Sequence, residues 1–194
     1  MRSALPEALA ALAGALRKLD ARWYLFGAQA ALLYGSARLT ADVDVTVHLG
    51  GRETADLVSA LEKAGFRLRV RDLNRFVATT RVLPTLHVRT GMPVDFVLAG
   101  PGLEQLFLKR RRRRVIDGVA ISVASAEDMV VMKVLAGRGK DEDDALAILA
   151  ARPKLDLAQV RSTLEALERA LDQADLRPRF EQLLARARRS PSRR

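Results

Sequence analysis

Gly27-Ala28-Gln29-Ala30-Ala31-Leu32-Leu33-Tyr34-Gly35-Ser36-Ala37-Arg38-Leu39-Thr40-Ala41-Asp42-Val43-Asp44-Val45 is the stretch on which the fold turns. Val43, Val45 and Val47 alternate with Asp44, Thr46 and His48, and this β-branched run predicts a strand over 43–48. Residues i and i+2 of a strand share a face, so Asp42 and Asp44 project together from its leading end. Two carboxylates that close repel each other unless a positive charge sits between them. A hard divalent cation supplies that charge, with the phosphates of a substrate completing its shell. An isolated Asp-x-Asp also occurs on solvated strand edges; here the three valines anchor the strand and leave the acids at its polar end.

Upstream, Trp23–Phe26 is a short bulky run ended by Gly27, which predicts a buried strand whose aromatic residues belong to the core. Ala28–Tyr34 suits a short helix stopped at Gly35-Ser36, and Leu5, Leu9, Leu12, Leu16 and Leu19 make one apolar stripe on a first helix over 6–19. Downstream, Leu57, Val58, Leu61 and Ala64 predict a helix over 54–64 that Gly65 ends. Short extended pieces are then expected at 66–70, 75–79, 86–89 and 94–98, the last two separated by Gly91-Met92-Pro93 at hairpin distance. A helix over 103–108 and a strand over 119–123 follow. From Ser125 onward the pattern is helical, opened by the capping sequence Ser125-Ala126-Glu127-Asp128 and continued by the stripe Val160, Leu164, Leu167, Leu171 behind Asp156. The expected class is α/β (α+β): a mixed-sheet core over 1–125, a helical region over 126–189, and a disordered tail at 190–194.

The strand at 94–98 carries a third acid, Asp95, among Val94, Phe96 and Val97. An unpaired acid there is costly to bury, so it either pairs with an arginine or faces the same cation as Asp42 and Asp44. Three carboxylates on neighbouring strands, one able to take a proton from an attacking hydroxyl, are the apparatus of metal-assisted phosphoryl or nucleotidyl transfer.

Composition narrows the rest. The 194 residues are 49% hydrophobic and 29% charged, enough for a packed core. The absence of cysteine excludes disulfide scaffolds, thiol nucleophiles, zinc fingers and iron–sulfur ligation, and two histidines do not make a zinc site. The net charge of +10 is local. Lys109, Arg110, Arg111, Arg112, Arg113 and Arg114 form an unbroken cationic run, and Arg177–Arg194 holds seven arginines against Glu181. Two such patches on a nearly neutral body suggest a polyanionic partner; the alternative is solvated, Arg-rich ends. Arg2 before an apolar stretch imitates a secretion signal, but Pro6, Glu7 and the striped leucines oppose that reading, and no apolar window is long enough to span a membrane. A cytoplasmic location is expected. Gly137-Arg138-Gly139-Lys140 lacks the spacing and the Ser/Thr of a phosphate loop, and His87 is expected on a sheet face.

The combination of a glycine after an apolar strand, a short helix, Asp-x-Asp and a distant strand-borne Asp resembles the nucleotidyltransferase superfamily related to DNA polymerase β. The series Tyr34-Gly35, Arg38, Thr40, Asp42, Asp44, then Ser125 to Asp128, Lys133, Ala136-Gly137-Arg138, Lys140-Asp141 and Asp144 is more similar to its bacterial AbiEii/MenT-like branch, which includes toxins of toxin–antitoxin pairs. The resemblance covers roughly residues 20–150. It implies Mg2+ (or Mn2+) held by Asp42, Asp44 and Asp95, an NTP substrate, and a triphosphate approaching the backbone at Gly27. Ala28 departs from the family, which has Gly or Ser there; a backbone N–H remains, and Ser36 stands close enough in sequence to substitute. The resemblance also implies phosphate contacts from Arg38, Thr40 and Lys133, and an auxiliary polar cluster of Lys140, Asp141 and Asp144. The implied activity is transfer of NMP to an acceptor hydroxyl. The run at 109–114 favours an RNA acceptor such as a tRNA end, and the branch implies a cognate antitoxin as partner. The competing expectation is an inactive nucleic-acid- or partner-binding protein of the same fold.

Overall fold

The structure is a computed structural model that describes residues 4–37 and 40–189. It divides into two compact units, Met1–Gln29 with Thr40–Ala124, and Ala30–Leu39 with Ser125–Arg194. The segment 30–39, expected within the sheet core, belongs instead with the C-terminal region. The chain leaves the first unit inside α2 (Gly27–Leu32) and re-enters it at Thr40.

The first unit is a mixed seven-stranded sheet with helices. In chain order it contains α1 (Ala4–Lys18), β1 (Arg22–Phe26), β2 (Val43–His48), α3 (Thr54–Lys63), β3 (Phe66–Leu68), α4 (Leu73–Thr80), β4 (Val82–His87), β5 (Met92–Leu98), α5 (Leu103–Arg110), β6 (Arg112–Ile116) and β7 (Val119–Val123). The strand order is β3-β4-β5-β2-β1-β7-β6. β2 runs parallel to β5, β1 runs parallel to β7, and the other neighbouring pairs are antiparallel. The predicted mixed sheet is therefore present, and the valine run supplies a strand with the expected bounds.

Val43, Val45 and Val47 are fully buried on one face of β2, together with Trp23 and Leu25 of β1, while Leu9, Leu12 and Leu16 bury the stripe of α1. At about 25 cal/mol per Å2 of apolar area, each such side chain contributes on the order of 2 kcal/mol. On the other face of β1, Tyr24 meets Phe107 of α5 edge-on, ring centroids 6.4 Å apart. Pleating thus gives the central strands one wholly apolar face and leaves the other to carry Asp44 and Asp95.

Two expectations are corrected here, and one strand that the sequence pattern does not announce is added. Residues 75–79 are not extended but lie in α4. Asp72 accepts the Arg75 N–H at its start, Arg81 closes it with a left-handed backbone at φ 57°, and Thr79 and Thr80 hydroxyls bond back to carbonyls of the preceding turn. Capping outweighs the β-propensity of Val77 and the two threonines. The strand expected at 86–89 instead begins at Val82 and ends at His87, where Thr90 meets the His87 ring at 2.8 Å. The cationic run is an end of helix followed by an edge strand: Lys109 and Arg110 finish α5, Arg111 caps it, and Arg112 opens β6. Charged side chains on an unpaired edge oppose edge-to-edge association.

The second unit holds α6 (Ala126–Ala136), α7 (Gly139–Ala151), α8 (Leu157–Leu171) and α9 (Leu176–Arg189). Ser125 caps α6 by accepting the Asp128 N–H, and Gly137 ends it at φ 62°. Asp156 caps α8, as its position predicts. The expected tail, 190–194, lies outside the described residues. Among the described residues no helix is long and apolar enough to cross a membrane.

Candidate active site

Asp44 and Asp95 are register partners on the parallel strands β2 and β5, so the two carboxylates stand side by side on one face of the sheet. This adjacency depends on β5 pairing with β2 across some fifty residues of intervening chain. Asp42 precedes β2 and is exposed, with its carboxylate bonded by the Thr40 hydroxyl.

Gly27 adjoins this pair. It ends β1 with a left-handed φ of 70°, and a Cβ built on it would stand 2.9 Å from Asp44 Cγ and closer still to Oδ2. The absence of a side chain therefore lets the Asp44 carboxylate lie against the backbone at the start of α2. Ala28 is buried, 4% exposed, and Gln29 Nε2 donates to the Thr40 carbonyl at 2.8 Å, fixing the point where the chain re-enters the first unit.

Asp95 is ion-paired with Arg69, which follows β3; the two side chains are 30% and 39% exposed. Of the two fates open to Asp95 in the sequence, the structure displays the arginine pair. Among the described residues no group of three or more Asp, Glu, His or Cys side chains is arranged to hold a metal ion. The donor set nevertheless fits a hard cation: hard oxygens only, two of them adjacent in register, at an accessible strand end. With Arg69 and Thr40 bonded to two of the three acids, a cation must displace those partners to engage them.

In the second unit, Lys133, Asp141, Asp144 and Ser36 form one buried cluster. Lys133 Nζ lies 2.9 Å from Asp141 Oδ1 and 2.8 Å from Asp144 Oδ2, with its side chain 7% exposed. Ser36 Oγ donates to Asp144 Oδ1 at 2.6 Å, and Arg138 Nε donates to Asp141 Oδ2. Burial pushes the Asp141 carboxyl up, but hydrogen bonds from Arg138 and Lys133, with their charges, prevail and hold it below its ordinary value. Lys133 and Ser36, for which the resemblance implies phosphate contacts, both have their side chains engaged inside this cluster. It tethers the segment after α2 to α6 and α7. Lys140 is exposed and outside it. Arg38 lies outside the described residues. Arg69 was missed in the sequence reading because nothing local links a residue after β3 to β5.

No protein-family model matches the chain, and no curated protein matches it in sequence. Its fold is shared with solved structures. An antigenic nucleotidyltransferase-like protein from Paracoccidioides brasiliensis superposes with a TM-score of 0.57 at 19% identity, over 93% of this chain and 92% of the other. The crystal structure of ANT(2")-Ia in complex with adenylyl-2"-tobramycin gives a TM-score of 0.59 at 14% identity, over 87% and 99%. The solution structure of the antibiotic-resistance factor ANT(2'')-Ia gives 0.56 at 15%, over 86% and 92%. At these identities the likeness is one of fold.

Proposed function

We propose that the protein is a metal-dependent nucleotidyltransferase that moves NMP from an NTP to an acceptor hydroxyl. The observation that carries this reading is the side-by-side register of Asp44 and Asp95 beside the bare Cα of Gly27, in a fold shared with nucleotidyltransferase-like proteins. The acceptor oxygen attacks the α-phosphorus of the NTP, the bond from that phosphorus to the β-phosphate oxygen breaks, and pyrophosphate leaves with the electron pair. Asp42, Asp44 and Asp95 are the residues to hold Mg2+ or Mn2+, which when bound supplies positive charge opposite the developing negative charge. Asp95 is also the carboxylate assigned to take the acceptor proton once it is released from Arg69. Gly27 and the backbone at Ala28 provide the close approach for phosphate. Thr40 and Arg38 are retained as phosphate contacts from the sequence resemblance; Lys133 acts by holding Ser36 and the segment around it through Asp144.

The acceptor is RNA in this reading, because the cationic run closes α5 and continues as Arg112–Arg114 along an exposed edge strand of the sheet unit. The neighbour ANT(2")-Ia holds adenylyl-2"-tobramycin, so a small alcohol is the opposing outcome. The test is transfer of α-labelled ATP, CTP, GTP or UTP to bulk tRNA and to tobramycin, with and without Mg2+ or Mn2+, using wild type and Asp44→Asn. Label on tRNA that needs metal and Asp44 supports the proposal; label on tobramycin alone replaces the acceptor. No transfer to either acceptor, together with no retention of the labelled NTPs by the protein on filters, favours the second reading, an inactive partner-binding protein, for which the Arg69–Asp95 pair and Ala28 speak. A toxin role with a cognate antitoxin extends the first reading. It predicts that wild type, but not Asp44→Asn, arrests growth when expressed in a bacterial host.

A further inference from the structure

The cationic run divides in two, and only part of it faces a cleft. A cavity of about 670 Å3 at the edge of the sheet unit is lined by Arg17 and Asp20 at the end of α1, Trp23 of β1, Ser122 of β7, and Arg111 and Arg113 of the run. Strand pleating puts Arg113, opposite Ser122 in register, on the other side of β6 from Arg112 and Arg114. Arg112 and Arg114 do not line the cleft, and the Arg114 guanidinium donates to the Arg113 carbonyl at 3.0 Å. Among the described residues none of Arg17, Arg111 and Arg113 is ion-paired with a carboxylate. Protection of an edge strand requires charge somewhere along the strand. It does not require an arginine from α1 to converge with two from β6 and its cap.

The cleft is also remote from the carboxylates. Trp23 lies three residues before Phe26 on β1, and Phe26 is the register partner of Asp44. Three residues of strand span about 10 Å. Trp23 faces away from Phe26, whereas Ser122 and its partner Arg113 share the face of Tyr24 and Phe26 through the Leu25–Val123 pairing, so the cleft wraps the sheet edge and its separation from Asp44 is one of distance. Three arginines and one aspartate line a space far larger than a single phosphate, a balance of charge that matches successive phosphates of a chain, which arginine grips through two donors at once.

We propose that this cleft binds the phosphodiester backbone of RNA, away from the reacting centre, so that the acceptor engages the protein at two places. The acceptor's identity as RNA rests on the preceding reading; the backbone site does not depend on catalysis. Each phosphate contact steepens the fall of affinity with salt by about 0.7 in log–log slope for single strands.

Filter binding of labelled bulk tRNA across a salt series tests it, with wild type, R111S/R113S, R112S/R114S, R111K/R113K and Asp44→Asn. R111S/R113S is expected to flatten the slope by about 1.4 and to weaken binding at least tenfold at low salt. R112S/R114S should change both by less than a third as much, and R111K/R113K should keep the slope. Arg111 also donates to the Leu108 carbonyl. Arg113→Ser alone is therefore included, with an expected flattening of about 0.7. Asp44→Asn should bind tRNA as wild type does, so loss of transfer and loss of binding are read separately. Equal effects of the two double serine variants, or a wild type whose binding ignores salt, overturn the proposal. Competition by tripolyphosphate with no tRNA binding assigns the cleft to a small polyanion and overturns it likewise.

Discussion

Gly27 has no room for a side chain beside Asp44: a Cβ on it would stand 2.9 Å from Asp44 Cγ, and its backbone is left-handed at φ 70°. The two constraints are independent. A left-handed backbone costs a β-carbon about 1–2 kcal/mol, and the clash adds to it. Gly27→Ala is expected to lower the melting temperature by several degrees, at about 2–4 °C per kcal/mol for a chain of this size. Asp44→Ala removes the contacts with Cγ and Oδ2, leaving only the tight one with Cβ at 3.1 Å, and does not relieve the strain, so the double variant should lose less than the two single losses combined. Thermal melts of the four proteins measure that coupling, and strict additivity would show that the carboxylate does not press on Gly27.

Arg69 competes with any cation for Asp95. The pair is partly exposed, so its removal should cost at most about 1 kcal/mol. Arg69→Gln should then leave the melting curve nearly unchanged while lowering the Mn2+ concentration needed for half-saturation, measured by calorimetry. Asp44→Asn relieves a like-charge neighbour across the β2–β5 register, so without metal it should melt level with or above wild type. A higher Mn2+ requirement in Arg69→Gln would make the arginine a participant in binding and not a competitor.

How much of this could be read in the sequence depends on how local each determinant is. The Val43–His48 strand, the Ser125 and Asp156 caps and the middle of the leucine stripe of α1 (Leu9, Leu12, Leu16) are set by neighbours within a few residues and appear as expected, whereas Leu5 is only half-buried and Leu19 lies beyond the helix. Residues 75–79 failed because Phe76, Val77 and Thr79 favour a strand in isolation, while the deciding groups, Asp72 and Arg81, lie at the two ends. The shared face of Asp44 and Asp95 was inferred from residue type, but their register is a property of the strand order. For Lys133 the resemblance implies a phosphate contact. The burial of this lysine follows from Asp141 and Asp144, one helix later, whose charges it neutralises.

Lys133 gives a stability test that a phosphate-binding role does not share. Lys133→Met leaves Asp141 and Asp144 without their common partner in a buried place, a change that costs about 3–5 kcal/mol. Melting should fall by roughly 10 °C in the absence of any nucleotide. Ser36→Ala removes one hydrogen bond to a charged acceptor and should cost about 1.5–3 kcal/mol. A Lys133→Met protein that melts like wild type and loses only NTP affinity would return the lysine to the phosphates.

The response to acid separates His87 from Asp141. Burial holds the His87 imidazole below its ordinary value of 6.5; the Glu7 charge opposes that shift and the Arg89 charge adds to it. The unfolded chain therefore takes up the proton first as pH falls through 6.5, and stability declines by up to about 1.4 kcal/mol per pH unit until the folded protein is protonated as well. Asp141 acts lower down. Its carboxyl is held below the ordinary 3.8, so its contribution is complete above that value and is lost only as pH falls further, toward the lowered one. Urea unfolding of wild type and His87→Gln at pH 7.5 and 5.5 isolates the first effect. Wild type should lose stability between the two, His87→Gln should lose less, and Asp141 should not contribute because both pH values lie above its window. Equal losses in the two proteins would mean that His87 reaches solvent freely enough to protonate in the fold.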